Sequence, residues 1–198
     1  YTSLKAILNL EDVDKTAVCV LTDREEVGSM GNTGAQSSFL ENFLASICSM
    51  STENYSDIIL RNCLSNSKML SADVSAGVDP NFEGIFDKRN ASYIGKGLVF
   101  QKFTGARGKA GASEASAEFI AQLRKLFGKN DLSWQMAEMG KVDKGGGGTI
   151  AQFIANLNVE VIDCGVALLS MHSPFEVASK VDIYTAFKAY KTFYKSTI

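Results

Sequence analysis

Four side chains of this sequence, Glu25, Glu26, Asp73 and His172, are of the types that bind divalent cations or move protons. They follow apolar stretches that read as strands. Ala17-Val18-Cys19-Val20-Leu21 leads into Asp23-Arg24-Glu25-Glu26, Lys68-Met69-Leu70-Ser71 into Asp73, and the stretch from Val161 into Ser170-Met171-His172. Sites of open parallel sheets form beyond the carboxyl ends of the strands, so folding can gather such residues from distant parts of a chain. Carboxylates with one imidazole are ordinary ligands for zinc, cobalt or manganese. A single strand-end acid is more often a solvated loop charge; the coincidence of three such ends carries the signal. Neighbouring residues of an extended segment point in nearly opposite directions. Two consecutive glutamates therefore suit two jobs, one binding metal and the other holding a water as general base. The same run also reads as an exposed charged turn, which the residues alone slightly favour. His172 is the only histidine, which excludes a His-rich zinc site built from this chain alone. A lone histidine is usually structural or exposed, and a Ser-His-Asp arrangement would lack the G-x-S-x-G elbow. His172 and Glu176 have helical i,i+4 spacing, with Pro174 between them.

A second feature is the run Lys144-Gly145-Gly146-Gly147-Gly148-Thr149, which opens a helix. Stacked glycines let a backbone approach a ligand closely, and a helix N-terminus offers free N–H groups to anions. The run lacks the Gly-Lys-Ser/Thr of a P-loop, and Ile150 stands where a G-x-G-x-x-G would end. Phosphate binding is thus a weak reading beside a flexible turn.

The elements that must position these residues follow from periodicity. Residues 1–8 are helical, with Leu4, Ile7 and Leu8 on one face and no cap before them; they read as the middle of a domain. Helices are expected over 38–50, 53–63, 113–127, 149–157 and 181–195, and strands over 17–21, 68–71, 98–103, 133–138 and from 161. In the helix over 113–127, Ala117, Ile120, Ala121 and residues 123–127 form an apolar stripe, and Gly128 is a natural stop. The closing helix carries Ile183, Phe187, Tyr190 and Tyr194 on related faces. Strands alternating with helices imply an α/β fold, a three-layer α/β/α sandwich around a mostly parallel mixed sheet.

Composition narrows the classes. The 198 residues suffice for one domain with a real core, 45% of them are hydrophobic, and the net charge of -2 favours neither nucleic acid nor an acidic membrane surface. No stretch is long and apolar enough to span a bilayer, and the start does not read as a signal peptide. Cys19, Cys48, Cys63 and Cys164 lie far apart without CxxC spacing, as structural thiols of a reducing compartment do, so the expected location is cytoplasmic.

Four segments together resemble the M18 family of metallo-aminopeptidases, the aspartyl aminopeptidase and aminopeptidase I group. Asp23-Arg24-Glu25-Glu26-Val27-Gly28-Ser29, Ser71-Ala72-Asp73, Gly145-Gly146-Gly147-Gly148-Thr149-Ile150 and Ser170-Met171-His172-Ser173-Pro174-Phe175-Glu176 are similar to its D-x-E-E-x-G-S, S-A-D, glycine-rich and S-M-H-S-P signatures. Their order and spacing agree, the similarity spans nearly the whole chain, and the last segment is the most specific. The resemblance implies the C-terminal part of a catalytic domain of the zinc-peptidase type that uses two divalent ions, zinc with cobalt or manganese as alternatives, to remove N-terminal residues from peptides. It implies Glu25 as general base, Glu26 and His172 on one metal, Asp73 on the other, and the loop of Gly146, Gly147 and Gly148 along the substrate cleft. It also implies closed homo-oligomers, often dodecamers, of the full-length protein.

Two departures accompany the resemblance. The family uses a further histidine and a carboxylate bridging both metals, expected upstream of Tyr1, together with a second lobe for subunit assembly; this chain alone is therefore expected to be inactive or nearly so. Aspartyl-specific members read D-M-A-H-A-x-H-P where this chain reads Asp73-Val74-Ser75-Ala76-Gly77-Val78-Asp79-Pro80. Without those histidines, Lys96, Arg107, Lys109 and Lys144 are the cations that could face an acidic side chain. The alternative class is a non-catalytic peptide-binding or scaffold subunit with the same fold, against which the joint presence of Glu25, Glu26, Asp73 and His172 argues. A third reading, a phosphate or nucleotide binder, would rest on the glycine run alone.

Overall fold

The computed structural model describes residues 1–107, 110–141 and 143–198. Lys109 lies outside them. In chain order the elements are α1 (Thr2–Leu8), α2 (Phe39–Ser51), α3 (Asp57–Ser65), β1 (Lys68–Ser71), β2 (Ser75–Ala76), β3 (Leu98–Gln101), β4 (Gly105–Ala106), α4 (Ala117–Lys129), β5 (Trp134–Met136), β6 (Gly146–Gly147), α5 (Ala151–Ala155), β7 (Glu160–Leu169), β8 (Val177–Ala178) and α6 (Lys180–Tyr194).

The sheet is organised around β7, whose long apolar run is buried along most of its length. A strand covered on both faces reads as a near-continuous hydrophobic stretch rather than an alternating one. On one side β1 pairs parallel to β7 with Ser71 opposite Asp163, and β2 continues in the same sense with Ser75 opposite Ala167. On the other side β3 runs antiparallel with Gln101 opposite Asp163, and β5 lies parallel to β3 beyond it. β8 returns antiparallel along the end of β7. The main sheet is therefore mixed, with three of its five strand pairings parallel.

The period of two assigns the faces. Leu98, Phe100, Ile162 and Cys164 point to one side, against Ala6 of α1, Phe119, Leu123 and Phe127 of α4, and Ala186, Ala189 and Tyr190 of α6. Phe100 stacks on Phe127 with ring centroids 5.3 Å apart and lies 5.5 Å from Trp134. Each fully buried Leu, Ile or Phe of this layer contributes roughly 1.5–3 kcal/mol. Val161 faces the other way, toward Leu64 of α3 and Ala151 and Ile154 of α5. Helices thus cover both faces, and α2 packs on α3.

Several expected elements are shorter or absent. Residues 17–20 are half-buried and Leu21 is exposed, and 17–21 pair with no strand among the described residues; the Tyr194 hydroxyl donates to Val18 O at 3.2 Å. An apolar run makes a strand only where a neighbour completes its hydrogen-bond ladder. The helix expected over 113–127 begins at Ala117, because Ser116 is its cap and accepts from the Phe119 N–H at 3.1 Å. Residues 113 and 115 instead bond back to Thr104 and Lys102. The helices expected over 53–63 and 149–157 are found as α3 and the short α5. No helix among the described residues is long and apolar enough to cross a membrane.

Candidate functional site

Glu25 and Glu26 occupy a 3-10 turn over residues 25–27 rather than an extended strand end. The turn is held within a loop closed on itself. The Asp23 N–H donates to Thr33 O at 3.2 Å, the Thr33 hydroxyl to Asp23 Oδ2 at 3.1 Å, Arg24 Nε to Thr33 Oγ1 at 3.2 Å, and the Gln36 amide to Gly28 O at 2.8 Å. Arg24 and Ser29 take φ of 63° and 58°, the left-handed region that L-residues seldom enter. Successive side chains of such a turn diverge by about 120° rather than lying opposite. The pair still separates: Glu25 is half-buried, whereas Glu26 is exposed and its Oε1 lies 3.0 Å from Nε2 of His172.

Asp73 lies between β1 and β2, the two short strands that pair parallel to β7. Its carbonyl oxygen occupies the space above Gly165, at which a Cβ would lie 1.6 Å from Asp73 O, so glycine is required there. The Val74 N–H donates to Asp73 Oδ1 at 2.8 Å. His172 follows β7 in a tight loop, not the helix that its spacing to Glu176 allowed. Ser170 and His172 have φ of 59° and 67°, and the His172 N–H donates to Glu176 Oε1 at 2.6 Å. Backbone strain of this kind persists only where surrounding structure fixes it and clusters at functional sites; here it falls on the two loops that bring Glu26 and His172 together. Asp73 and His172 both lie beyond the carboxyl ends of parallel strands, β1 and β7.

The four side chains share one electrostatic neighbourhood. Burial raises the pKa of Glu25, Asp73 and Glu26 raise it further, and His172 lowers it. Burial likewise raises that of Asp73, which the Val74 N–H lowers, Glu26 raises and His172 lowers. A further acid, absent from the sequence expectations, joins them. Asp163 on β7 is buried, and burial pushes its carboxyl up to about 6; the Ser71 and Thr149 hydroxyls pull it down, and Asp73 and Glu25 add to the rise. Its signal in the sequence was an aspartate inside an otherwise apolar strand.

The glycine run does not open a helix directly. Gly146 and Gly147 form β6, which pairs antiparallel with β4, and the five-residue α5 starts at Ala151. Gly146 has φ of 102°, and a Cβ there would lie 2.1 Å from Gly105 O. Thr149 ties the end of the run to Asp163 Oδ2 at 2.9 Å. Lys96 is exposed on the turn before β3, whose Gly95 and Gly97 N–H groups donate to Asp182 at 2.6 and 2.9 Å. Among the described residues no hydrogen bond or ion pair joins Lys96, Arg107 or Lys144 to the four acidic and imidazole side chains.

In type, the donors fit a borderline divalent cation: a carboxylate and an imidazole face each other at 3.0 Å with both side chains open to solvent, and Asp73 lies nearby. Among the described residues no three His, Cys, Asp or Glu side chains are gathered into a ready ligand cluster.

The sequence matches the family described as aminopeptidase I zinc metalloprotease (M18) over residues 1–194. It is 52% identical over 193 residues to the "Probable M18 family aminopeptidase 1" of Clostridium acetobutylicum, an alignment covering 98% of this chain and 41% of that protein. The fold superposes on the crystal structure of an M18-family aminopeptidase from Thermotoga maritima with a TM-score of 0.94 at 42% identity, covering 98% of this chain and 43% of that one. On the mApe1 dodecamer of S. cerevisiae the TM-score is 0.71 at 26% identity, covering 88% and 36%. The chain thus spans less than half the length of these relatives.

Proposed function

The chain belongs to the M18 family of aminopeptidase I zinc metalloproteases, and from that premise we propose that it forms part of a two-metal aminopeptidase that removes single residues from peptide N-termini. The observation that supports the reading is the contact of Glu26 with His172 at 3.0 Å, with Glu25 and Asp73 within electrostatic reach of both.

In this reading Glu26 and His172 hold one cation and Asp73 the other, and zinc is the ion that the family description supports. Bound there, such cations supply Lewis acidity toward a scissile carbonyl and make a nearby water more acidic. Glu25 acts as general base, taking a proton from the attacking water and passing it to the leaving amine. Its half-buried carboxylate, beside the exposed Glu26, supports that division of labour. The glycine run, with its backbone unobstructed by side chains, lines the cleft for an extended peptide. The bridging carboxylate and second histidine of the resemblance would come from sequence beyond this chain, as would the second lobe. A preference for acidic N-terminal residues would fall to exposed cations such as Lys96, Arg107 and Lys144. By likeness to the yeast dodecamer, the complete protein assembles as a closed homo-oligomer. A cytoplasmic location accords with the four free thiols.

The test is zinc titration of the metal-stripped complete gene product against a panel of aminoacyl p-nitroanilides. Turnover should return with zinc, and Glu25→Gln should lower kcat by about 10²–10⁴-fold with zinc content unchanged. Metal-independent turnover, or a glutamine variant as active as its parent, rejects the assignment.

A further inference from the structure

A row of buried polar side chains crosses the sheet beneath the site. Ser71 on β1, Asp163 on β7 and Gln101 on β3 are register partners, so their side chains share one face, and all three are buried. Thr149, also buried, reaches the row from the end of the glycine run. Its hydroxyl donates to Asp163 Oδ2 at 2.9 Å and accepts from the Ala151 N–H at 3.1 Å. Asp163 Oδ1, Ser71 Oγ and both polar atoms of the Gln101 amide have no hydrogen-bond partner among the described residues. A carboxyl so far from water costs stability unless it is well partnered; this one closes one hydrogen bond, with Thr149, while the Ser71 hydroxyl lies close enough to lower its pKa without meeting hydrogen-bond geometry. Such breaks with local rules concentrate at functional sites. What the arrangement provides is a link between two parts of the site. β7 passes under Asp73 at Gly165 and leads directly to His172, whereas Thr149 ends the stretch Gly145-Gly146-Gly147-Gly148.

We infer that Asp163 is a positioning residue: through the Thr149 hydroxyl it fixes the glycine loop to the strand that runs beneath Asp73 and ends at His172, so that loop and rim keep one geometry. The inference rests on the reading of that loop as a wall of the substrate cleft. β4 and β6 hold the far side of the loop; Thr149 holds the near side. Release of the hydroxyl lets the near side drift, and misplaced substrate binds less well before bond cleavage itself is affected.

Thr149→Val keeps the shape of the side chain and removes the hydroxyl, and Thr149→Ser restores it. In the zinc-loaded complete gene product, hydrogen–deuterium exchange of amides 146–149 should rise about tenfold in the valine variant and stay within about twofold of the parent in the serine variant. Unchanged protection in the valine variant overturns the inference. Exchange is read without turnover, so a parent lacking zinc-dependent activity would remove the peptidase reading while the exchange result still decides on the link. In kinetics, the valine variant should raise KM about tenfold with kcat within about threefold, and serine should reverse this. A loss confined to kcat overturns the positioning role. If the valine variant does not fold, Thr149→Ala removes the same hydroxyl and is read the same way.

Discussion

At the scale of single residues, the contact between His172 and Glu26 is the sharpest feature. Two non-glycine residues of the His172 loop, and two of the loop around Glu25 and Glu26, adopt left-handed φ to bring it about. A side chain held by strained backbone on both sides is hard to replace by a rearranged neighbour. His172→Ala should therefore weaken zinc binding by more than the roughly 10–100-fold typical of losing an outer partner of a ligand. Competition with a chelator of known affinity measures this; a dissociation constant within about threefold of the parent's would show that His172 holds no metal. As candidates, these residues were legible from their types and motif context. Their conformation was not: the tandem glutamates occupy a 3-10 turn, and the His172–Glu176 spacing forms a loop closed by a backbone-to-carboxylate hydrogen bond.

At the scale of elements, β7 sets the geometry of the rim. It is the strand against which β1, β2, β3 and β8 pair, and Gly165 within it lets the segment carrying Asp73 pass at backbone contact. Gly165→Ala would force a methyl group into Asp73 O, which backbone on both sides prevents from yielding. The substitution should destabilise the fold by about 3 kcal/mol or more and displace Asp73. Urea unfolding gives the first quantity and zinc stoichiometry the second; a variant with parental stability would mean that the crossing has room for a side chain. The sequence signalled β7 as a strand through its apolar run, and signalled α4 and α6 through their stripes. It did not signal that residues 17–21, equally apolar, would lack a sheet partner. Apolarity reports burial, whereas a ladder depends on which segment lies alongside.

At the scale of the whole molecule, stability should depend on pH through Asp163. Its folded-state pKa of about 6 lies above the roughly 3.9 of an unfolded aspartate. Between those values the folded chain keeps a proton that the unfolded chain has released, so the unfolding free energy falls as pH rises from about 4 to about 6. An asparagine side chain in its place would carry no such proton. The stability of Asp163→Asn relative to the parent should therefore grow by up to about 3 kcal/mol between about pH 4 and about pH 7.5, measured by urea unfolding of the metal-free protein. A difference independent of pH would place the titrating proton elsewhere.

The sequence by itself determined the α/β class, the principal helices and strands, the candidate residues of the site and the family whose signatures it carries. These depend on local information: period, caps such as Ser116, punctuating glycines, and side-chain type at strand ends. Only the tertiary structure decided that Ser71, Asp163 and Gln101 form one buried row, that Thr149 joins the glycine loop to it, and that Lys96 stands on a separate turn held by Asp182. Strand register and the approach of loops distant in sequence arise from the packing of all elements at once, and no local pattern of residues encodes them.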